Sequence, residues 1–189
     1  MLVLTTEVMR SIVDIHDPQT SPIFADAATA TVLCCGLRSA RPLASPLAKL
    51  MRPVLGARGD GSGALGVPLP GAGMHVRMDG KRIFSEAIRS MSAALAKACD
   101  SGGVVLDELD LIVPHQANGR IIEAMRSRLK LPGHKVWNEI RHQGNTSSSS
   151  IPLALDTALR GTASALRIGI CAFGAGYTSG AALLLRPGC

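Results

Sequence analysis

The sequence predicts an α/β fold in which helices pack as layers on a largely parallel sheet. Three observations carry that expectation. Beyond residue 80, segments of helical periodicity alternate with short apolar runs. The run LDLIV at residues 109–113 reads as a strand buried on both faces. The chain is 47% hydrophobic but only 3% aromatic, so small aliphatic side chains must fill its core. Such side chains suit close helix-on-sheet packing.

Taken in order, residues 1–5 read as a short buried strand. Residues 23–35, IFADAATATVLCC, turn around Asp26 and continue as a second strand. Residues 36–80 are rich in proline and glycine, with GARGDGSGALGVPLPGAG at their centre. They read as a long irregular connection with room for short strands, and a loop of that length is either functional or a join between two halves. Residues 81–99 are helical, with Phe84, Ile88, Met91, Leu95 and Ala98 on one face. Gly102 and Gly103 end that helix. The strand at 109–113 then runs into Pro114 and His115. A helix follows from about Ala117 to Lys130, with Ile121, Ile122, Met125 and Leu129 inward, until Pro132 and Gly133 stop it. Residues 135–137 form a short strand. In RHQGNTSSSSIP the serines suit a helix cap and the proline a first turn. The helix at 149–160 buries Ile151, Ala154, Leu155, Ala158 and Leu159. Residues 165–172 and 181–185 are strands joined by FGAGYTSG, expected as a hairpin.

The bulk properties exclude several function classes. At 189 residues the chain is long enough for one domain with a sizeable core. Its net charge of +6 suits acidic or phosphorylated partners, or simply a solvated basic surface. Nucleic acid is a poor partner, because there is no dense Lys/Arg block and little aromatic surface for bases to stack on. No apolar run is long enough to span a bilayer, and the first residues lack the marks of a signal peptide, so a cytoplasmic location is expected. Cys34, Cys35, Cys99, Cys171 and Cys189 show no CxxC spacing and read as reduced, mostly buried thiols. His16, His75, His134 and His142 form no metal-ligand pattern. No metal or cofactor is expected.

Three loops could carry chemistry. Pro114-His115-Gln116-Ala117-Asn118 lies between a strand and a helix. Gly144-Asn145-Thr146-Ser147 precedes another helix, and Phe173-Gly174-Ala175-Gly176-Tyr177 leaves a strand. Ligands in open α/β sheets bind beyond the carboxyl ends of strands, where His115 and the third loop lie. Singly, each signal suits a structural residue, a turn or a bend. The serine run reads as helix capping, not as a set of nucleophiles.

In combination, VPHQANGRI, RHQGNTSSSSIPLALD and FGAGYTSGAALL resemble the ketoacyl-acyl-carrier-protein synthase III family of thiolase-like enzymes. IFADAATATVL is similar to the strand ending the first half of those enzymes, and VRMDGKRIFSEAIRSM to the helix opening the second half. The resemblance implies a thiolase-like layered fold. Residues 1–45 would end an N-terminal half, 46–80 would connect, and 81–189 would form the C-terminal half.

It also implies an acyltransferase that condenses an acyl thioester with a malonyl thioester, in fatty acid or polyketide biosynthesis. His115 and Asn145 match the family's catalytic His and Asn, which would hold the enolate oxygen after loss of carbon dioxide. Gly174, Ala175 and Gly176 match a loop offering a backbone N–H to a thioester oxygen, with Phe173 beside the acyl pocket. Asn118 would orient the histidine, and Arg120 would dock an acidic acyl carrier protein. The family's cysteine nucleophile has no match among the five cysteines here. An N-terminal half, or a homologous synthase subunit in a dimer, is therefore an expected partner, alongside carrier-protein or coenzyme A thioesters. A non-catalytic thiolase-like subunit and an ester-forming or thiolytic acyl-CoA relative are the alternatives.

Overall fold

The N-terminal hairpin stands apart from the main sheet. Strand β1 (Leu2–Glu7) pairs antiparallel with β2 (Ala27–Val32), from Leu2 opposite Val32 to Glu7 opposite Ala27. The computed structural model describes residues 1–34, 46–61, 63–68, 74–160, 164 and 166–187. Cys35 and Cys189 lie outside the described residues. Cys34 falls beyond the end of β2 and is exposed, not within the strand.

The expectation of a buried first strand is not met. Leu2 is 58%, Leu4 65% and Val32 69% exposed. Side chains alternate across a strand, and only the face bearing Thr5 meets the rest of the chain. Leu2, Leu4 and Val32 sit on the opposite face, which no described residue covers.

Segment 46–80 supplies four short strands: β3 (Lys49–Leu50), β4 (Val54–Ala57), β5 (Leu65–Gly66) and β6 (Arg77–Met78). β5 and β6 pair with each other, whereas β3 and β4 both join the main sheet. Helix α1 (Gly80–Gly102) follows. Asp79 caps its start by accepting the Arg82 backbone N–H, and Gly103 ends it in the left-handed region. The buried face runs through Ile83, Ala87, Met91, Ala94, Leu95 and Ala98. It lies about one residue round from the expected stripe, so Phe84 sits at the edge of the helix and is 37% exposed. Leu95 fixes that phase. It fills the notch above Gly169, where an added Cβ would come within 2.7 Å of its Cδ1.

The main sheet also contains β7 (Leu111–Pro114), β8 (Leu166–Gly174) and β9 (Thr178–Arg186). Its order is β3-β9-β8-β7, with β4 also on β9. Among the described strands only β7 and β8 are parallel, so the described sheet is not largely parallel. The turn at residues 175–177 is too short for a crossover, which forces β8 and β9 antiparallel, as expected for the hairpin. The chain from β7 to β8 passes through α2 (Gly119–Arg128), α3 (Ile140–Gln143) and α4 (Ser150–Leu159). The strand expected at 135–137 reduces to one parallel bridge, Val136 to Ile112.

The serines before α4 do not cap it: Ser149 occupies the cap position without a side-chain cap hydrogen bond. Distant partners take the hydroxyls instead. Ser149 Oγ lies 2.7 Å from Thr5 Oγ1, which lies 2.5 Å from Thr29 Oγ1. The Ser148 hydroxyl and its backbone N–H both donate to Glu7 Oε1. These bonds tie the hairpin to the start of α4. Ser149→Ala is expected to lower stability by about 1 kcal/mol and to speed amide exchange in β1 and β2. Exchange unchanged in those strands would show that the serine does not clamp them.

Candidate active site

His115 sits where β7 leaves the sheet, held by neighbours on both sides in sequence. Its backbone N–H donates to the Cys171 carbonyl of β8 at 2.8 Å. Gln116 is fully buried. Its Nε2 donates to the Pro114 carbonyl at 2.8 Å, and its Oε1 accepts the Glu139 N–H at 2.8 Å. A buried amide satisfied in this way stiffens the turn. Asn118 then caps α2, its Oδ1 accepting the Arg120 N–H at 2.9 Å. Among the described residues no hydrogen bond joins Asn118 to His115.

Asn145 is held by the chain segment before β2. Its N–H donates to the Ile23 carbonyl, and its carbonyl accepts the Ala25 N–H, both at 2.9 Å. This close approach explains Gly144. Its φ is +67°, and a Cβ there would lie 2.9 Å from the Ala25 Cβ. The Asn145 Oδ1 accepts the Ser147 N–H at 3.0 Å. That bond fixes the amide orientation and leaves Nδ2 as the available donor.

Both residues line one cleft of about 250 Å³, together with Asn118, Arg120, Phe84 and Phe173. Its apolar walls come from Ile23 and Phe24 ahead of β2 and from Ile83 and Met91 of α1. Segments far apart in sequence thus converge on His115 and Asn145. Two donors beside a mainly apolar wall can stabilise an oxyanion where water is scarce. Sequence reasoning missed Ile23, Phe24 and Met91 as wall residues. Met91 was legible only as a core residue, and nothing local marks the other two.

The loop after β8 stands differently. Phe173 is 8% exposed and reaches the cleft, while Gly174, Ala175 and Gly176 are not among its lining residues. Gly174 pairs with Thr178, and the Ala175 carbonyl accepts the Thr178 hydroxyl at 3.1 Å. Ala175 does not have a positive φ, whereas Gly176 does, at +131°. The alanine therefore fits without backbone strain.

Burial pushes the His115 imidazole down to about 4. The ring is therefore neutral at neutral pH and carries a single N–H. Activity resting on that N–H should stay level as pH falls through 6.5 and decline only toward about 4. The sign for stability follows from proton counting. Between those values the folded chain binds fewer protons than the unfolded one, so the contribution is complete above 6.5 and lost as pH falls to about 4. His115→Gln should flatten the curve of Tm against pH in that window. Equal steepness in both proteins would contradict it.

No cysteine lines the cleft among the described residues. Burial pushes the Cys171 thiol up to about 12, and its sulfur lies 3.8 Å from Met125 Sδ in the core. Cys171 is thus a packing residue. Among the described residues no group of three or more His, Cys, Asp or Glu could hold a metal. No described helix is long and apolar enough to cross a membrane.

The sheet, its helical layer and the cleft at the end of β7 define a thiolase-like α/β protein. Residues 99–186 match the family described as 3-oxoacyl-[acyl-carrier-protein] synthase III C terminal. The beta-ketoacyl-[acyl-carrier-protein] synthase III of Desulfotalea psychrophila is 36% identical over 194 residues, covering 97% of this chain and 58% of that protein. The crystal structure of the 3-oxoacyl-(acyl carrier protein) synthase III of Pseudomonas aeruginosa aligns with a TM-score of 0.87 at 32% identity, covering 100% of this chain and 59% of that one. The priming beta-ketosynthase of a polyketide biosynthetic pathway aligns at 0.85 with 33% identity, covering 100% and 57%. The chain is similar over nearly its whole length to beta-ketoacyl-[acyl-carrier-protein] synthase III proteins, and it spans less than two thirds of the length of these relatives.

Proposed function

We propose that this chain supplies the decarboxylating side of a ketoacyl synthase III-type acyltransferase. The carrying observation is that His115 and Asn145 line the same cleft, each fixed by its own hydrogen bonds. A malonyl thioester bound there loses carbon dioxide as its C–C bond breaks. The electron pair moves onto the thioester oxygen, and His115 and the Asn145 amide donate to that enolate. The enolate carbon then attacks an acyl thioester, forming a C–C bond and expelling a thiolate. That acyl group would sit on a cysteine outside this cleft's described lining, supplied by an N-terminal half or a homologous subunit. The loop of Gly174, Ala175 and Gly176 would offer its backbone N–H to the acyl oxygen. The chemistry needs no metal or organic cofactor beyond the thioester substrates.

Three features support the partners this reading requires. The names of the relatives above specify an acyl carrier protein, which is an acidic partner in this reading. Arg120 lies exposed at the cleft edge in the first turn of α2, without an ion-pair partner among the described residues. A cation there opposes the helix dipole, a cost that docking an acidic carrier would reverse. The apolar face of Leu2, Leu4 and Val32 suits burial against a thiolase-like half or a dimer partner. This chemistry belongs in the cytoplasm.

The test is product formation. The full-length polypeptide, or this chain combined with a thiolase-like N-terminal half, is supplied with acetyl-CoA and a malonyl-carrier-protein. A 3-oxoacyl-carrier-protein should appear, and Arg120→Glu should raise KM for the carrier substrate more than it changes kcat. No product in either arrangement, with malonyl thioester returned intact, would sink the reading.

A further inference from the structure

The hydrogen-bond chain behind His115 decides which ring nitrogen faces the cleft. Ser150 is the first residue of α4, five positions after Asn145, and is 1% exposed. Its Oγ lies 2.5 Å from His115 Nδ1. The same Oγ accepts the Gln116 backbone N–H at 3.3 Å. No other described residue hydrogen-bonds to Ser150 Oγ, and none to His115 Nε2, which is free for a ligand.

Two hydrogen placements are open to this contact. In the first, the serine hydroxyl donates to Nδ1, and the ring N–H is on Nε2. In the second, Nδ1–H donates to Oγ. The oxygen would then accept twice, and its own buried proton would have no acceptor among the described residues. A buried donor left unmade disfavours that state by roughly tenfold or more in population. The Gln116 N–H strengthens the bias, because it takes an acceptor site on Oγ and leaves the hydroxyl proton to point at the ring.

We propose that Ser150 is a positioning residue, locking His115 in the tautomer that presents Nε2–H to the cleft. This rests on the decarboxylation reading for its purpose but not for its detection. A neutral imidazole has one proton to give, and an enolate oxygen needs that proton on the cleft side. Placing Ser150 at the head of α4 also links the two donors. The turn that sets the Asn145 amide leads directly into the residue that sets the His115 proton, so both donors share one support.

The test is nitrogen NMR of the full-length polypeptide labelled with 15N-histidine, with the His115 signals assigned by their loss in His115→Gln. The unaltered protein should show a protonated Nε2 and an unprotonated Nδ1. Ser150→Ala should convert the ring to a mixture of tautomers. In the same variant, kcat for carbon dioxide release from a malonyl thioester should fall about tenfold, with KM changed little. Ser150→Thr, which keeps a hydroxyl, should restore both. A protonated Nδ1 in the unaltered protein overturns the proposal, as does an unchanged tautomer in Ser150→Ala. The ring signals do not depend on turnover. A tautomer that responds to Ser150 in a protein releasing no carbon dioxide would support the positioning role while removing the decarboxylation reading.

Discussion

His115→Ala is expected to lower the rate of malonyl-thioester decarboxylation by about 10²–10³-fold, the usual effect of deleting one donor to a developing oxyanion. Asn145→Ala should cost a similar factor. Both residues are held in the cleft, His115 by its ring contact with Ser150 and its backbone bond to Cys171, Asn145 by its side-chain bond to Ser147 and its backbone bonds to Ile23 and Ala25. Their donors therefore need little reorganisation when charge develops, which is where such groups gain most over water. Because the two act on one oxygen, the double variant should lose less than the product of the single losses. Acyl transfer to a separate cysteine should be far less sensitive, since neither donor forms or breaks that thioester. Steady-state carbon dioxide release and single-turnover acylation, measured side by side, would separate the two steps.

Leu95→Ala should be the most damaging conservative change in the core. Leu95 is fully buried in α1 and presses into the notch over Gly169 of β8. Truncation leaves a cavity lined by a helix and a sheet, neither free to collapse, at a cost of about 2–5 kcal/mol. For a chain of this size Tm should drop by about 2–4 °C for each kcal/mol lost. The converse change, Gly169→Val, should also destabilise, because a Cβ there meets Leu95 and Leu109 at 2.7 and 2.9 Å. A Leu95→Ala protein melting with the unaltered one would contradict the packing described for α1.

The sequence made some features readable because their causes are local. The apolar run ending at His115, the Gly-Gly stop after α1 and the tight turn between β8 and β9 all act within a few residues. The His115 and Asn145 loops were recognisable from motif resemblance, and the fold brings both into one cleft. Other features depend on contacts that no local pattern encodes. β3 and β4 pair with β9 from across most of the chain, so the sheet's mainly antiparallel character could not be read from the order of elements. Strand β1 reads as buried from its composition, but burial needs a covering surface, and among the described residues only its Thr5 face has one. The serines before α4 suggested capping, the commonest local use of serine at a helix start. Glu7, Thr5 and His115, 141, 144 and 35 residues away, offer the hydroxyls better partners. Ser150 was therefore invisible as a site residue until its neighbour across the turn was known.

The account stands most directly on whether the cleft can generate an enolate without any acyl primer. The full-length polypeptide should be given malonyl thioester alone, and carbon dioxide release followed beside Asn145→Ala and His115→Ala. Release by the unaltered protein, reduced in both variants by about 10²–10³-fold, is the predicted result. Equal release by all three proteins would contradict the role assigned to the pair.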